Sequence, residues 1–446
     1  MKAEAGRIDA KLGTFDTAMV VVSLVVGIGI FRTPAIVARD AGTPGLFLLA
    51  WGIGGLVSFV GALTFAEIGS NHPRAGGYYR VVADCYHPAL AFMLNWAQTL
   101  MQGAGAAGVA FIGAEYLVGL LLPPERRGGN SVLLVALVLM LVLLLLNALG
   151  IQIGAETQNV LSMLKIVMIV GLAAAALALA PKAAGLAPAA APAAPAAGLT
   201  GLAAALIPVF YTYGGYHMTM NLGADVKDAK RRFPLAVTAG MLTVVGLYLV
   251  LNFAYVRTLG VGGVAESKLV AAALARASFG AAGEAVVSAL IFLSAAGFVN
   301  ATVLQMPRSY YAMAEDGVLP PVFRRVQPRT QVSTAGLLLF GATMLVPAFL
   351  LGSFEKLVSY VIFTDMLTLV VVSSTLFVLR RSGEGGDGAF RIPGPPVLPA
   401  LYILALAAVA AHVAFTEPRL ALAGTAILLT GGPLFLVGRK LSGGPR

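Results

Sequence analysis

About twelve apolar stretches, each long enough to cross a lipid bilayer, constrain this chain more than any other feature. A helix needs roughly 20 apolar residues to span the hydrocarbon core. The stretches lie at 14–38, 45–69, 88–122, 131–149, 153–179, 201–224, 234–256, 284–314, 333–351, 356–379, 396–415 and 419–438. Only 11% of the residues are charged, far fewer than in a soluble domain. Alternating strands of the porin type are absent. The sequence therefore predicts an all-α integral membrane protein with about twelve transmembrane helices.

The net charge of +10 follows membrane topology rather than nucleic-acid binding. Basic clusters at 227–232 and 324–329 follow even-numbered spans, which face the cytoplasm if the N-terminus is cytoplasmic. We therefore expect a multi-pass protein of the plasma membrane, in bacteria the inner membrane, with both termini cytoplasmic and no nucleic-acid partner. Cys85 is the only cysteine and falls in a predicted cytoplasmic loop, so we expect no disulfide-linked partner.

Metal and enzyme sites find no support in the residue pattern. The histidines are dispersed at 72, 87, 217 and 412, and with a single cysteine they form no metal-ligand constellation. No nucleophile stands beside a base, and no paired acids suit catalysis within the bilayer. We expect no metal, no cofactor and no enzymatic activity.

Two apolar stretches break at glycines, at Gly27-Ile28-Gly29 and at Gly214-Gly215. Four further spans separate the breaks, so each falls in the first span of a five-helix block. The blocks are 1–180 and 201–380, joined by a Pro- and Ala-rich outer linker at 181–200 and followed by two spans and a tail at 381–446. Broken helices at corresponding positions indicate a transporter binding site at the membrane midplane. Close helix packing is the alternative role for such glycines.

The two breaks would present opposite partial charges. A half-helix that begins near Ile30 directs free N–H groups into the first break, where they suit a carboxylate. A half-helix that ends near Tyr213 directs free carbonyl groups into the second, where they suit an ammonium group. An amino acid zwitterion carries both groups on one carbon.

Several motifs in register resemble the amino acid–polyamine–organocation superfamily, and in particular its bacterial L-type amino acid transporters. They are GIGIF at 27–31, FAEIG at 65–69 with PRAGGY at 73–78, YTYGGY at 211–216, and RS at 308–309 with AEDG at 314–317 and LP at 319–320. The resemblance covers nearly the whole chain. It implies the LeuT-type fold, in which two inverted five-helix repeats are followed by two extra helices.

The resemblance also implies a set of site residues. Backbone N–H groups of 27–29 would hold the substrate carboxylate, and carbonyl groups near Val25, Tyr211 and Gly214 would hold its ammonium group. The chain departs from the family at Ile28, at Tyr216 and at 224–225, which affects the expected side-chain preference of the substrate. The expected substrate-binding residues are Val25, Gly27, Ile28, Gly29, Ile30, Tyr211, Thr212, Tyr213, Gly214 and Gly215, with Tyr211 and Tyr216 as gates.

Lys165 lies about half-way along the fifth span. A charged side chain at that depth faces a polar cavity or a partner, or else snorkels to the interface. Position alone leaves these alternatives open. The resemblance to sodium-independent members implies that its ammonium group stands where related transporters bind sodium, with Ser294 of the eighth span as partner. A titratable cation there would make proton coupling possible.

Two carboxylates in or near spans are candidates for a proton or gating role. Asp365 lies in the tenth span, and its alternative role is a structural hydrogen bond between helices. Glu67 ends the second span, where we favour a solvated carboxylate. We interpret His217 and Asn221, which follow the second break, as packing or gate residues.

The predicted function is sodium-independent secondary transport of neutral L-amino acids by alternating access, as a proton symporter or as an exchanger (antiporter). Transport of a cationic amino acid or a polyamine by the same fold is the alternative. A non-transporting amino acid sensor and an ion channel are more distant alternatives.

Overall fold

A computed structural model describes residues 10–179, 198–267, 269–351, 361–383, 390–393 and 396–442. Across these ranges the regular structure is helical, and the β pairing is a single bridge between Leu12 and Val226. The helices are α1 Thr14–Val25, α2 Gly29–Ala41, α3 Pro44–Asn71, α4 Gly77–Cys85, α5 Pro88–Leu121, α6 Gly129–Ala148, α7 Ile151–Leu179, α8 Leu199–Thr212, α9 Ala229–Glu266, α10 Val270–Phe279, α11 Gly283–Glu315, α12 Thr334–Leu351, α13 Val361–Ser382, α14 Val397–Thr416 and α15 Pro418–Leu441. The predicted all-α class is confirmed.

Each of the twelve predicted spans has a helical counterpart. Nine helices of the described chain are long and apolar enough to cross a bilayer, namely α3, α5, α6, α7, α9, α11, α13, α14 and α15. The first span consists of α1 and α2, which are bent by 46° at their junction. The sixth is α8 followed by a 3-10 helix at Tyr216–Asp225, called the 3-10 segment below, and the ninth is the shorter α12.

Local sequence signals place several of the helix ends. Thr43 accepts a hydrogen bond from the backbone N–H of Leu46 at 3.3 Å and precedes a proline, which together begin α3. The ring of His87 accepts from the N–H of Ala89 at 3.1 Å and begins α5 in the same way. Gly42 ends α2 in the left-handed conformation at φ +66°. These capping residues therefore explain where α2 ends and where α3 and α5 begin.

The interrupted spans lie inside a scaffold of continuous helices. α1 contacts α7, α9 and α11, while α2 packs against α8 and α9. The most apolar part of α11 is 72% buried, whereas that of α6 is only 22% buried. α11 is therefore an interior helix and α6 a peripheral one. Asn300 of α11 donates to Gln158 of α7 at 2.9 Å and accepts from Asn147 of α6 at 2.7 Å, which fixes these three helices to one another.

The division into blocks at 1–180, 201–380 and 381–446 stays a prediction. Most of the expected outer linker at 181–200 lies outside the described residues, which resume at Gly198. Both breaks are present at the predicted places, in the first and the sixth span.

Candidate functional site

The first break separates α1 from α2 by three residues. α1 ends at Val25, and Val26 departs from helical geometry at ψ 77°. The N–H of Gly27 turns back to donate to the carbonyl of Val25 at 2.8 Å. α2 then begins at Gly29, one residue before the predicted start. The first N–H groups of α2 thus point toward the break, because a helix leaves them without intrahelical acceptors.

The second break lies directly against the first. α8 ends at Thr212, and Gly215 takes a positive φ of +108° before the 3-10 segment begins. A β-carbon on Gly215 would collide with the carbonyl group of Leu24, at the end of α1. Glycine is therefore required here both for the backbone conformation and for the approach of the two chains.

The solvent-accessible residues of the two breaks form a distinct subset. Between 25 and 30 and between 211 and 216, they are Tyr211 and the four glycines Gly27, Gly29, Gly214 and Gly215, while the side chains of Val25, Ile28, Ile30, Thr212, Tyr213 and Tyr216 are buried. Tyr211 is 40% exposed. Apart from Tyr211, the accessible residues at the breaks are thus glycines, whose irregular backbone must meet a partner or a polar space rather than lipid.

One tyrosine that the sequence analysis missed joins the two breaks. The Tyr248 hydroxyl, on α9, lies 3.0 Å from the carbonyl of Val25 and 3.3 Å from that of Thr212, and it can donate to either. These carbonyls end α1 and α8. The expected ammonium ligand Val25 therefore already accepts a hydrogen bond, although a carbonyl oxygen has two lone pairs. A tyrosine in an apolar helix gives no sequence signal of such a contact.

Two further tyrosines of the sixth span are held by ring and hydroxyl contacts. Tyr213 packs against Trp51 and Tyr248, with ring centroids 5.8 and 4.9 Å away. The Tyr216 hydroxyl forms a 2.8 Å hydrogen bond with that of Tyr402 on α14. Both side chains thus pack into the scaffold. Substrate contact by Tyr213 through its backbone, and the gate role of Tyr216, stay predictions.

Lys165 is fully buried, and its ammonium group lies at the first break. Its Nζ donates to the carbonyl of Val26 at 2.6 Å and lies 3.4 Å from the Ser23 hydroxyl. Carbonyl groups at a helix C-terminus carry partial negative charge, so the ammonium group completes the end of α1. Of the two alternatives left by position alone, the structure has the one in which lysine meets a partner.

The partner on α11 differs from the expected one. Ser294 is not among the hydrogen-bond partners of Lys165, and its hydroxyl has none within the described part of the chain. Gly297, nearly one helical turn further on, occupies this place, since a β-carbon on it would lie 3.2 Å from the Lys165 Nζ. The lysine side chain fills the space that this glycine leaves open.

The expectation that Glu67 is a solvated carboxylate is wrong. Glu67 is 1% exposed, and both its oxygens accept from the Arg380 guanidinium at 2.8 Å. The backbone N–H of Ile392 donates to it at the same distance. A carboxylate with three donors ties the end of α3 to the end of α13. Arg380 lies far from Glu67 along the chain, so the position of Glu67 at the end of a span does not reveal this contact.

Asp365 lies beside the 3-10 segment. Gln98 of α5 donates to its Oδ1 at 2.7 Å, and the Nε2 of His217 is 3.9 Å from the same oxygen. Asn221, the other expected packing or gate residue, donates to Gln305 of α11. No group of three or more His, Cys, Asp or Glu side chains within the described ranges could hold a metal ion.

The chain matches known proteins over nearly its whole length. The sequence profile of the family described as amino acid permease matches residues 12–434. The serine/threonine exchanger SteT of Bacillus subtilis is 24% identical over 90% of this chain and 91% of its own length. The human large neutral amino acids transporter small subunit 2 is 25% identical over 96% of this chain and 80% of its own. The human cystine/glutamate transporter is 23% identical over 93% and 82%.

Proposed function

Because the chain belongs to the amino acid permease family of the amino acid–polyamine–organocation superfamily, whose members are transporters and not enzymes, we propose that it carries neutral L-amino acids across the membrane without sodium. It is a multi-pass membrane protein. We place it in the bacterial inner membrane with both termini cytoplasmic, on the basis of the basic clusters after even-numbered spans.

The observation that carries sodium independence is the contact between the Lys165 ammonium group and the Val26 carbonyl at 2.6 Å. A sodium ion at this place would need carbonyl and hydroxyl oxygens. Here Val26 and Ser23 supply them to a covalently tethered cation instead. A second cation beside a buried ammonium group would be repelled, so the site favours the lysine alone.

Substrate binding rests on the accessible glycine backbone of the two breaks. The start of α2 offers N–H groups for a carboxylate, and the end of α8 offers carbonyl groups for an ammonium group. Tyr211 is the accessible side chain beside them and would cover the bound molecule. Relatives named as exchangers or transporters of neutral amino acids support this substrate class.

Cationic amino acids form a second candidate substrate class. The observation in their favour is Asp365, a carboxylate whose Oδ1 lies 3.9 Å from the ring of His217, two residues after Gly215 of the second break. A cationic side chain that extended from the second break toward His217 would meet this acid. Competition between labelled serine and either unlabelled lysine or unlabelled leucine would separate the two classes.

Uptake into proteoliposomes tests the proposal directly. Purified protein in vesicles loaded with unlabelled amino acid should take up labelled serine, threonine or leucine at the same rate in sodium and in choline buffer. Omission of the internal amino acid then separates exchange from symport, because exchange requires an internal substrate. Strict dependence on sodium, or no saturable uptake of any amino acid, would contradict the proposal.

A further inference from the structure

Three polar side chains from three elements meet at the beginning of the 3-10 segment. His217 stands two residues after Gly215, so the position of its ring is coupled to the backbone of the second break. Asp365 comes from α13, and Gln98 from α5 fixes its carboxylate with a 2.7 Å hydrogen bond. The imidazole and the carboxylate are 3.9 Å apart, slightly beyond hydrogen-bond distance.

The imidazole ring of His217 is buried, and its nitrogens have no hydrogen-bond partner among the described residues. His217 is 3% exposed, and its ring lies 5.7 Å from the Phe65 ring and 6.0 Å from that of Tyr216. Neither of its nitrogens forms a hydrogen bond with any residue in the described part of the chain. Buried polar atoms without hydrogen bonds are rare and call for an explanation. Here the Asp365 carboxylate, 3.9 Å from Nε2, could accept a hydrogen bond from that nitrogen.

Asp365 has no permanently charged partner among the described side chains, so its negative charge is balanced only when His217 carries a proton. Its electrostatic neighbours are His217 and the phenols of Tyr78 on α4, Tyr211 on α8, Tyr216 and Tyr402 on α14. Phenols stay neutral at physiological pH, whereas imidazole gains its charge near neutrality. Among the described side chains, no lysine or arginine forms an ion pair with Asp365. His217 can form one when its imidazole is protonated. A lone carboxylate at this depth is costly.

We infer that His217 and Asp365 together form a proton-binding site that couples substrate binding to pH. This inference rests on the proposed transport function and adds the identity of the coupling ion's site. The pair takes one proton from water and becomes a neutral ion pair; when it releases the proton to water, one net negative charge remains. The titration belongs to the pair rather than to either residue.

The proton acts on the substrate site through the 3-10 segment. A charged imidazole moves the short distance to Asp365 and forms a charge-assisted hydrogen bond, which fixes the start of this segment against α13 and α5. Gly215 is only two residues away, so the second break is held in one arrangement. Protonation stabilises this arrangement, and it therefore increases the fraction of protein molecules in the state that binds the amino acid.

The test is the pH dependence of substrate affinity in the purified full-length protein. Affinity for a labelled amino acid should rise as pH falls from 8 to 5.5, by at most about tenfold per pH unit for a single proton. His217→Gln keeps an N–H donor opposite Asp365 but cannot take up a proton, so its affinity should be independent of pH and near the high-pH value of the parent. Asp365→Asn should also remove the pH dependence.

His412→Asn is the matched control for these variants. His412→Asn changes an exposed histidine on α14 and should keep the pH dependence of the parent. An unchanged pH dependence in folded His217→Gln that still binds substrate would overturn the inference and direct attention to Lys165. Loss of lysine binding in Asp365→Asn with unchanged pH dependence would make Asp365 a substrate ligand instead. Absence of amino acid binding in the parent protein would refute the proposed function itself.

Discussion

Gly215 packs so closely against the backbone carbonyl group of Leu24 that no β-carbon fits between them. This contact joins the second break to the end of α1 and brings the two sets of backbone groups into one site. Gly215 also has a φ of +108°, which residues with a side chain rarely adopt. Both constraints fall on the same residue, so it is the position where glycine is least replaceable in the site.

Gly215→Ala should therefore lose transport and lower thermal stability. The strained φ costs about 1 kcal/mol, and the collision with Leu24 adds to it by separating the breaks. Gly246→Ala on α9 is the matched control, because a β-carbon there meets no atom of the described residues within 4 Å and alanine favours the helix. Uptake and melting temperature should be measured on both. Normal uptake by Gly215→Ala would show that the contact is not needed.

Gly27→Ala should weaken substrate binding without unfolding the protein. A β-carbon on Gly27 would lie 3.9 Å from the Phe298 ring, an ordinary contact, yet it would add a methyl group to the accessible backbone of the first break. We expect at least a tenfold loss of affinity, about 1.4 kcal/mol. Gly52→Ala on α3 is the control, since within the part of the chain that the structure describes its β-carbon would meet no atom closer than 4 Å. Equal affinities in a binding assay would exclude the cradle at Gly27.

Tyr248→Phe removes the hydroxyl that joins the ends of α1 and α8. Loss of the hydrogen bond to Val25 should cost about 1 kcal/mol in stability and lower substrate affinity, because the two breaks lose a fixed spacing. Tyr255→Phe on the same helix is the control: this buried hydroxyl has no hydrogen-bond partner in the ranges that the structure covers. Calorimetric binding to both variants tests the difference. Identical affinities would make Tyr248 a packing residue only.

Lys165→Met keeps the length of the side chain and removes the charge that caps α1. We expect transport to fall more than tenfold, since the Val26 carbonyl loses its 2.6 Å donor and the break loses its link to α7. Lys230→Met, at an exposed lysine of α9, should transport normally. Uptake should be compared in sodium and in choline buffer. Unimpaired transport by Lys165→Met would count against the sodium-substitute role.

Glu67→Gln should lower stability through the buried end of α3. Glutamine keeps an acceptor for Ile392 but loses the charge that faces Arg380, whose side chain is 25% exposed. We expect a loss of about 2 kcal/mol, below the cost of breaking a fully buried pair. Asp84→Asn breaks an exposed pair with Arg74 and should change stability by less than about 0.5 kcal/mol. Melting temperatures of both variants distinguish the cases.

The sequence was most informative where structure depends on local signals. Apolar length predicted the spans, and the glycines of 27–29 and 214–215 predicted the breaks, because an interrupted helix is a property of a few neighbouring residues. Lys165 was recognisable because a charge within an apolar helix is costly wherever it lies.

Contacts between distant helices could not be predicted in the same way. We expected Ser294 beside Lys165, but Gly297 lies there, nearly one helical turn further along α11. This register is set by how α7 and α11 pack. The partner of Glu67 lies 313 residues further along the chain. Tyr248 resembles any other aromatic residue of an apolar helix until α1 and α8 converge on it. Such pairings depend on tertiary register, which one sequence does not record.

Residues near the amino terminus are attached to the element that follows the second break. The N–H groups of Lys11 and Leu12 both donate to the carbonyl of Asp225 at 2.8 Å, and Arg308 of α11 holds the Asp225 carboxylate with two hydrogen bonds. If the 3-10 segment shifts during the transport cycle, the leading part of the chain must shift with it or detach. The signal of a fluorophore attached near residue 11 would then change during each transport cycle, whereas a bulky protein fused there would slow transport.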